Sequence, residues 1–246
     1  MRVIAIANQK GGVAKTTTAA AIAQGASERG RKALAIDLDP QGSLTYIMGA
    51  NGLAAGAYEL MKGTPAAQVI QPGAPDIIAA SLQLAGADAE FSGRVDRNFL
   101  LKAAIETLKG YDLVIVDTPP TLGTLLVNAL TAATEVLIPT AADIFALQSL
   151  PQLADTIEQV RKYCNPALTI RGALLTRYSP RTVLARDLRE TLEGKCETMG
   201  MPLLRTAIRD GVAVKESQTM QQSLNQYAPR SKPAEDYVAL LNELEV

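Results

Sequence analysis

The sequence predicts an α/β protein, a doubly wound, mostly parallel twisted sheet with helices on both faces. Three observations point there. Seven short aliphatic runs, Val3 to Ala7, Ala33 to Asp37, Ile77 to Ala80, Leu113 to Asp117, Val136 to Thr140, Ile170 to Thr176 and Leu203 to Ile208, are nearly continuous in apolar character, as strands buried on both faces must be. Stretches of helical period separate most of them, the alternation that builds a parallel sheet. The chain has 246 residues and neither an internal repeat nor a low-complexity linker, so residues 1–246 are read as one domain with a core of its own.

Taken in order, the first run ends in Asn8-Gln9-Lys10-Gly11-Gly12-Val13-Ala14-Lys15-Thr16-Thr17-Thr18 and an Ala-rich helical stretch. Strand, glycine turn and helix start together gather backbone N–H groups and a positive helix end around one small volume, which suits a polyphosphate. Lys15 supplies a point charge for phosphate oxygens and the Thr16 hydroxyl a ligand for Mg²⁺. Gln9 and Ala14 stand where the usual G-x-x-x-x-G-K-[ST] pattern has glycine. A methyl group at Ala14 is compatible with the loop if φ stays negative, and that geometry is expected.

The second run leads into Asp37-Leu38-Asp39-Pro40-Gln41-Gly42, which places carboxylates at the rim where open α/β sheets bind ligands. The segment from Asn51 to Pro75 is rich in Gly and Ala and is expected to hold helices over a sheet edge. The fourth run, Leu113 to Asp117, is apolar and ends in an acid, the pattern of a Mg²⁺-holding strand. In the tail, Tyr237, Leu240, Leu241 and Leu244 recur at helical spacing on a helix opened by Pro233. Its polar face carries Glu235, Asp236, Glu243 and Glu245. A membrane-surface helix needs the opposite charge, so this one is expected to dock on the body of the protein.

Composition narrows the chemistry. There is no His and no Trp, which excludes His-based triads, His-containing zinc sites and imidazole proton shuttles. Cys164 and Cys196 have no metal-site spacing, so they read as incidental thiols of a reducing compartment. The N-terminal apolar run is too short for a signal segment, and the longest apolar stretch is broken by acids and prolines. A cytoplasmic protein without membrane association is expected.

The stretch Lys10 to Thr16 resembles the deviant Walker A motif, K-G-G-x-x-K-[ST], of the ParA/MinD family of P-loop ATPases. The Asp37 to Gly42 segment, Tyr111 to Pro120, Leu82 to Ala87 and Ala228 to Ser231 resemble the same family, most closely its short Soj-type ParA partition proteins. The resemblance implies ATP and Mg²⁺ as ligands, with Lys10, Gly11, Gly12, Val13, Ala14, Lys15, Thr16 and Thr17 around the nucleotide. It implies Thr16, Asp39 and Asp117 at the metal, with Asp37 in support, and Lys10, Lys15 and Asp39 as the catalytic set. Thr176, Arg177 and Pro229 are the expected base contacts. The resemblance further implies a sandwich homodimer closed by ATP, in which Lys10 reaches the partner's phosphates. It also implies association with non-specific double-stranded DNA on the nucleoid, and release by a ParB-like partner that stimulates hydrolysis.

Charge supports the DNA expectation. Residues 160–232 hold 13 Lys+Arg against six Asp+Glu, a net of +7, although the whole chain is near neutral. Such a face binds phosphate backbones without sequence preference. Arg181, Arg186, Arg209 and Lys215 are the expected contacts, and Ala213 stands where the family pattern has an arginine. The plain alternative is a solvated helix face, with Arg186 and Arg189 paired to Asp187, Glu190 or Glu193. Two other functions compete: a MinD-like membrane or cargo positioner, and an ATP-dependent ligase resembling dethiobiotin synthetase.

Overall fold

In the computed structural model, residues 1–143, 146–179 and 183–246 are described, with backbone alone for Ala146, Leu147 and Leu184. The elements in order are β1 (Arg2–Ile6), α1 (Lys15–Glu28), β2 (Ala33–Asp37), α2 (Ser43–Ile47), α3 (Ala57–Lys62), α4 (Ala66–Val69), β3 (Ile70–Gln71) and β4 (Asp76–Ile78). A 3-10 turn, Leu82–Gly86, precedes α5 (Ala87–Phe91), α6 (Leu100–Glu106), β5 (Leu113–Asp117), α7 (Thr124–Ala132), β6 (Glu135–Ala141) and α8 (Ala146–Tyr163). The chain continues through β7 (Thr169–Tyr178), α9 (Val183–Thr198), β8 (Leu203–Arg209), α10 (Val212–Thr219), α11 (Leu224–Tyr227) and α12 (Lys232–Glu243).

The strands form one eight-stranded sheet in the order β3-β4-β2-β5-β1-β6-β7-β8. Every neighbouring pair is parallel except β3 with β4. All seven expected strands are present. The extra one, β3, is a two-residue antiparallel edge inside the Gly/Ala-rich segment, too short to leave a periodic signal. That segment otherwise folds as α3 and α4, as expected.

Alternation along each strand divides the core between two faces. Val3, Ala5, Leu34, Ile36, Val114 and Val116 pack with α3, α6, α7 and α8. Ile4, Ile6, Ala33, Ala35, Leu113 and Ile115 pack with α1, α2 and α12. Helices therefore cover both faces, and the strand ends are free to carry polar groups. On α12 the stripe Tyr237, Leu240, Leu241 and Leu244 is buried in the second cluster, so the tail helix docks as expected.

Candidate active site

The site forms at the C-terminal ends of the central strands. In register, Ile6 of β1 lies beside Asp117 of β5, and Asp117 lies beside Asp37 of β2. The connection after β1 therefore crosses directly over two buried carboxylates. Asn8 fixes its start: its amide donates to the Pro139 carbonyl at 2.7 Å, and its oxygen accepts from Lys10 N–H at 2.9 Å. Thr176 Oγ1 donates to the Val13 carbonyl at 3.1 Å, so β7 holds the far side.

Within the loop Gly12 has φ +75°, a conformation suited to glycine. Ala14 has φ +63°, which overturns the expectation of a negative value there. A methyl group in this region costs about 1–2 kcal/mol, and the surrounding contacts impose it. Thr18 N–H donates to the Ala14 carbonyl at 2.9 Å, tying the strained residue to the first turn of α1.

Lys15 is 7% exposed, and its ammonium donates to the Lys10 carbonyl at 3.2 Å. Burial lowers its pKa, opposed by the charges of Asp117 and Asp39. Asp117 is fully buried and neither of its oxygens has a hydrogen-bond partner. Burial, then the neighbouring Asp37, push its pKa well above the usual carboxylate range. The Thr16 hydroxyl stands near enough to favour the ionised form yet outside hydrogen-bond geometry. A buried carboxylate without donors is a poor structural element and a good cation ligand.

Asp37 differs from it in being satisfied. Its Oδ2 accepts from Thr45 N–H and Oγ1, both at 2.8 Å, and its Oδ1 accepts from Asp39 N–H at 3.1 Å. Burial raises its pKa to about 6, against the pull of the Thr45 bonds. Asp39 sits at the mouth, its Oδ1 accepting from Gln41 N–H at 3.0 Å. Lys10 is half-buried and its ammonium is ion-paired to Asp143. Among the described residues no three His, Cys, Asp or Glu side chains form a metal cage. A cation here would be held by Asp117 and Thr16 together with ligands from a bound phosphate, the usual arrangement for Mg²⁺.

A cavity of about 270 Å³ adjoins the loop, lined by Gly12, Ala14, Thr17, Thr176, Arg177, Ile208 to Gly211, Val214, Lys215 and Gln218. Gln218 donates to Thr17 Oγ1 at 2.9 Å, closing one wall. Thr176 and Arg177, two of the three expected base contacts, line this cavity. Pro229 is exposed and stands outside this wall. The stretch from Ile208 to Gln218 is the part of the cavity that sequence reasoning missed, because its basic residues were read as a DNA surface.

The expected DNA contacts are placed differently from one another. Arg209 is committed within the fold: its Nη2 donates to Asp236 Oδ1 at 2.7 Å and its Nε to Oδ2 at 2.9 Å. Lys215 is exposed on the cavity rim. Arg186 is exposed on α9, and Arg181 lies outside the described residues.

The family model for an AAA domain, AAA_31, matches residues 1–170. The chromosome-partitioning ATPase Soj of Thermus thermophilus is 36% identical over 99% of this chain and 95% of its own length. The chain belongs to the ParA/Soj family of P-loop ATPases. Among solved structures, a Mycobacterium smegmatis protein named cobyrinic acid a,c-diamide synthase, with bound ATP analog and magnesium, is 34% identical with a TM-score of 0.88. It covers all of this ParA-family chain, which covers 94% of it. A putative plasmid partition protein of Borrelia burgdorferi bound to AMPPNP is 26% identical, with a TM-score of 0.84 over 99% of this chain and 98% of its own. These neighbours share the fold of this chain over nearly its whole length.

Proposed function

We propose that this chain is a Mg²⁺-dependent ATPase of DNA partition that dimerises on ATP, binds non-specific DNA, and is released when a ParB-like partner stimulates hydrolysis. One observation carries the ATPase part: the unpartnered, buried carboxylate of Asp117 beside Lys15, beneath a phosphate loop. Loop N–H groups and Lys15 would hold the phosphates, and Asp117 and Thr16 would hold Mg²⁺, which supplies neutralising charge at the phosphate oxygens. Asp39, with Oδ1 occupied by Gln41, presents Oδ2 to orient an attacking water. Lys10 would exchange Asp143 for the phosphates of a second copy, acting as an arginine finger does. Lys10→Ala and Asp39→Ala should each abolish partner-stimulated turnover, measured as phosphate release; normal turnover in either breaks the role assigned to it.

The partition reading rests on kinship with Soj and ParA proteins and on the basic α9/β8 surface, where Arg186 and Arg205 are exposed and Arg189 reaches the Arg205 carbonyl. Protein with ATP and Mg²⁺ should retard random-sequence duplex DNA, and protein without nucleotide should not. Equal behaviour of the two would remove DNA from the proposal. Among the described residues no helix is long and apolar enough to cross a membrane. The buried stripe of α12 also leaves that helix no apolar face for lipid, so a cytoplasmic, nucleoid-associated protein fits better than a membrane positioner. The name of the mycobacterial neighbour favours a second reading, ATP-dependent ligation. That activity would appear as turnover that requires a carboxylic acid and an amine donor and is indifferent to DNA.

A further inference from the structure

We propose that Asp88 is a positioning residue for ATP hydrolysis, holding the loop between Asp117 and α7 in its working place. The inference rests on the ATPase reading and concerns a residue outside the phosphate loop.

A helix start leaves backbone N–H groups without partners, and the residue before α7, Gly123, has no side chain with which to cap them. The cap comes from another element. Asp88, on α5, accepts from Thr124 N–H through Oδ1 at 2.6 Å. A negative group at this position also meets the positive end of the helix. Gly123 is what admits it, because a Cβ there would stand 2.6 Å from Asp88 Oδ2.

Residues 118–123 therefore run between two fixed ends. At one end Asp117 closes β5, and Thr118 Oγ1 donates to the Ile6 carbonyl at 2.8 Å. At the other stands the Asp88 cap. Between them Pro119 and Pro120 line a cleft of about 360 Å³ together with Asp39 and Asp88. The cap thus sets where the proline pair stands relative to the carboxylate that faces the attacking water. The body of α7 has a separate anchor: Asn128 donates to the Arg97 carbonyl at 2.7 Å and accepts from Leu101 N–H at 3.1 Å. Losing the cap should release the loop and the first turn while α7 stays folded.

The test is steady-state ATP hydrolysis with Mg²⁺ by the full chain. Asp88→Ala should lower kcat roughly fivefold or more, with the KM for ATP and the Kd for ADP within about twofold of wild type. Asp88→Asn keeps an acceptor for Thr124 N–H and should retain part of the lost rate. Gly123→Ala expels the carboxylate with Asp88 still in place, so it should reproduce the loss even if Asp88→Ala does not fold. The double variant should be no slower than either single one. Wild-type kcat in Asp88→Ala, or losses that multiply in the double variant, would overturn the proposal. A wild-type chain without Mg²⁺-dependent hydrolysis would instead overturn the ATPase reading.

Discussion

Ala14 shows how much one side chain can carry. Its φ of +63° is a conformation that glycine adopts freely and alanine does not. Ala14→Gly removes strain of about 1–2 kcal/mol, offset by about 0.4–1 kcal/mol of added freedom in the unfolded chain. A net gain of about 0–1.6 kcal/mol is expected in urea unfolding, and a lower midpoint would contradict the strain. Asp37 gives a second prediction at this scale, in the pH dependence of stability. Its pKa is raised by burial to about 6 in the fold, while an unfolded Asp titrates near 3.9. Between these values the native state binds more protons than the unfolded one, so the Asp37 contribution to stability falls as pH rises from about 4 to about 6. Asp37→Asn cannot make that change. Its stability relative to wild type should therefore rise by on the order of 2–3 kcal/mol across the window, in parallel urea titrations without nucleotide.

At the scale of elements, α12 explains several arginines that the sequence leaves unassigned. Helix ends expose carbonyls without partners, and here arginines from other elements reach them. Arg2 donates to the Leu244 carbonyl at 2.9 Å, Arg31 to the Glu245 carbonyl at 2.9 Å and Arg171 to the Glu243 carbonyl at 2.7 Å. In return, Glu243 accepts from Arg205 N–H at 2.8 Å and Thr206 N–H at 2.9 Å, pairing donors of the edge strand β8. Glu243→Ala leaves those two N–H groups to water and should cost about 1–3 kcal/mol in thermal or urea unfolding. An unchanged midpoint would show that β8 does not depend on α12. The strands and the phosphate loop were legible in the sequence because their signals are local: apolar runs, and glycines and lysines at fixed spacing. The destination of the arginines was not. Arg171 and Arg209 count toward a basic segment in the sequence, yet their partners, Glu243 and Asp236, lie in an acidic tail tens of residues away. Ala14 was misread for a related reason, since its φ is set by contacts with the rest of the loop that no propensity encodes.

For the molecule as a whole, the near-neutral charge resolves into basic residues that serve the fold and basic residues that face outward. Only the second kind can release counterions from DNA. Arg205→Ala should lower the slope of log K against log salt by about one, whereas Arg171→Ala should leave it unchanged. Equal slopes for all three proteins would place the DNA surface elsewhere. The loop of residues 118–123 has a practical consequence of its own. Leu122 lies near its end, 52% exposed, between the proline pair and the capped helix. The chain contains no tryptophan, so Leu122→Trp would create a sole indole emitter at the edge of the Asp39 cleft. Its emission maximum and quenching by iodide would then report how far that loop is sheltered from water, with and without nucleotide, and without an attached dye.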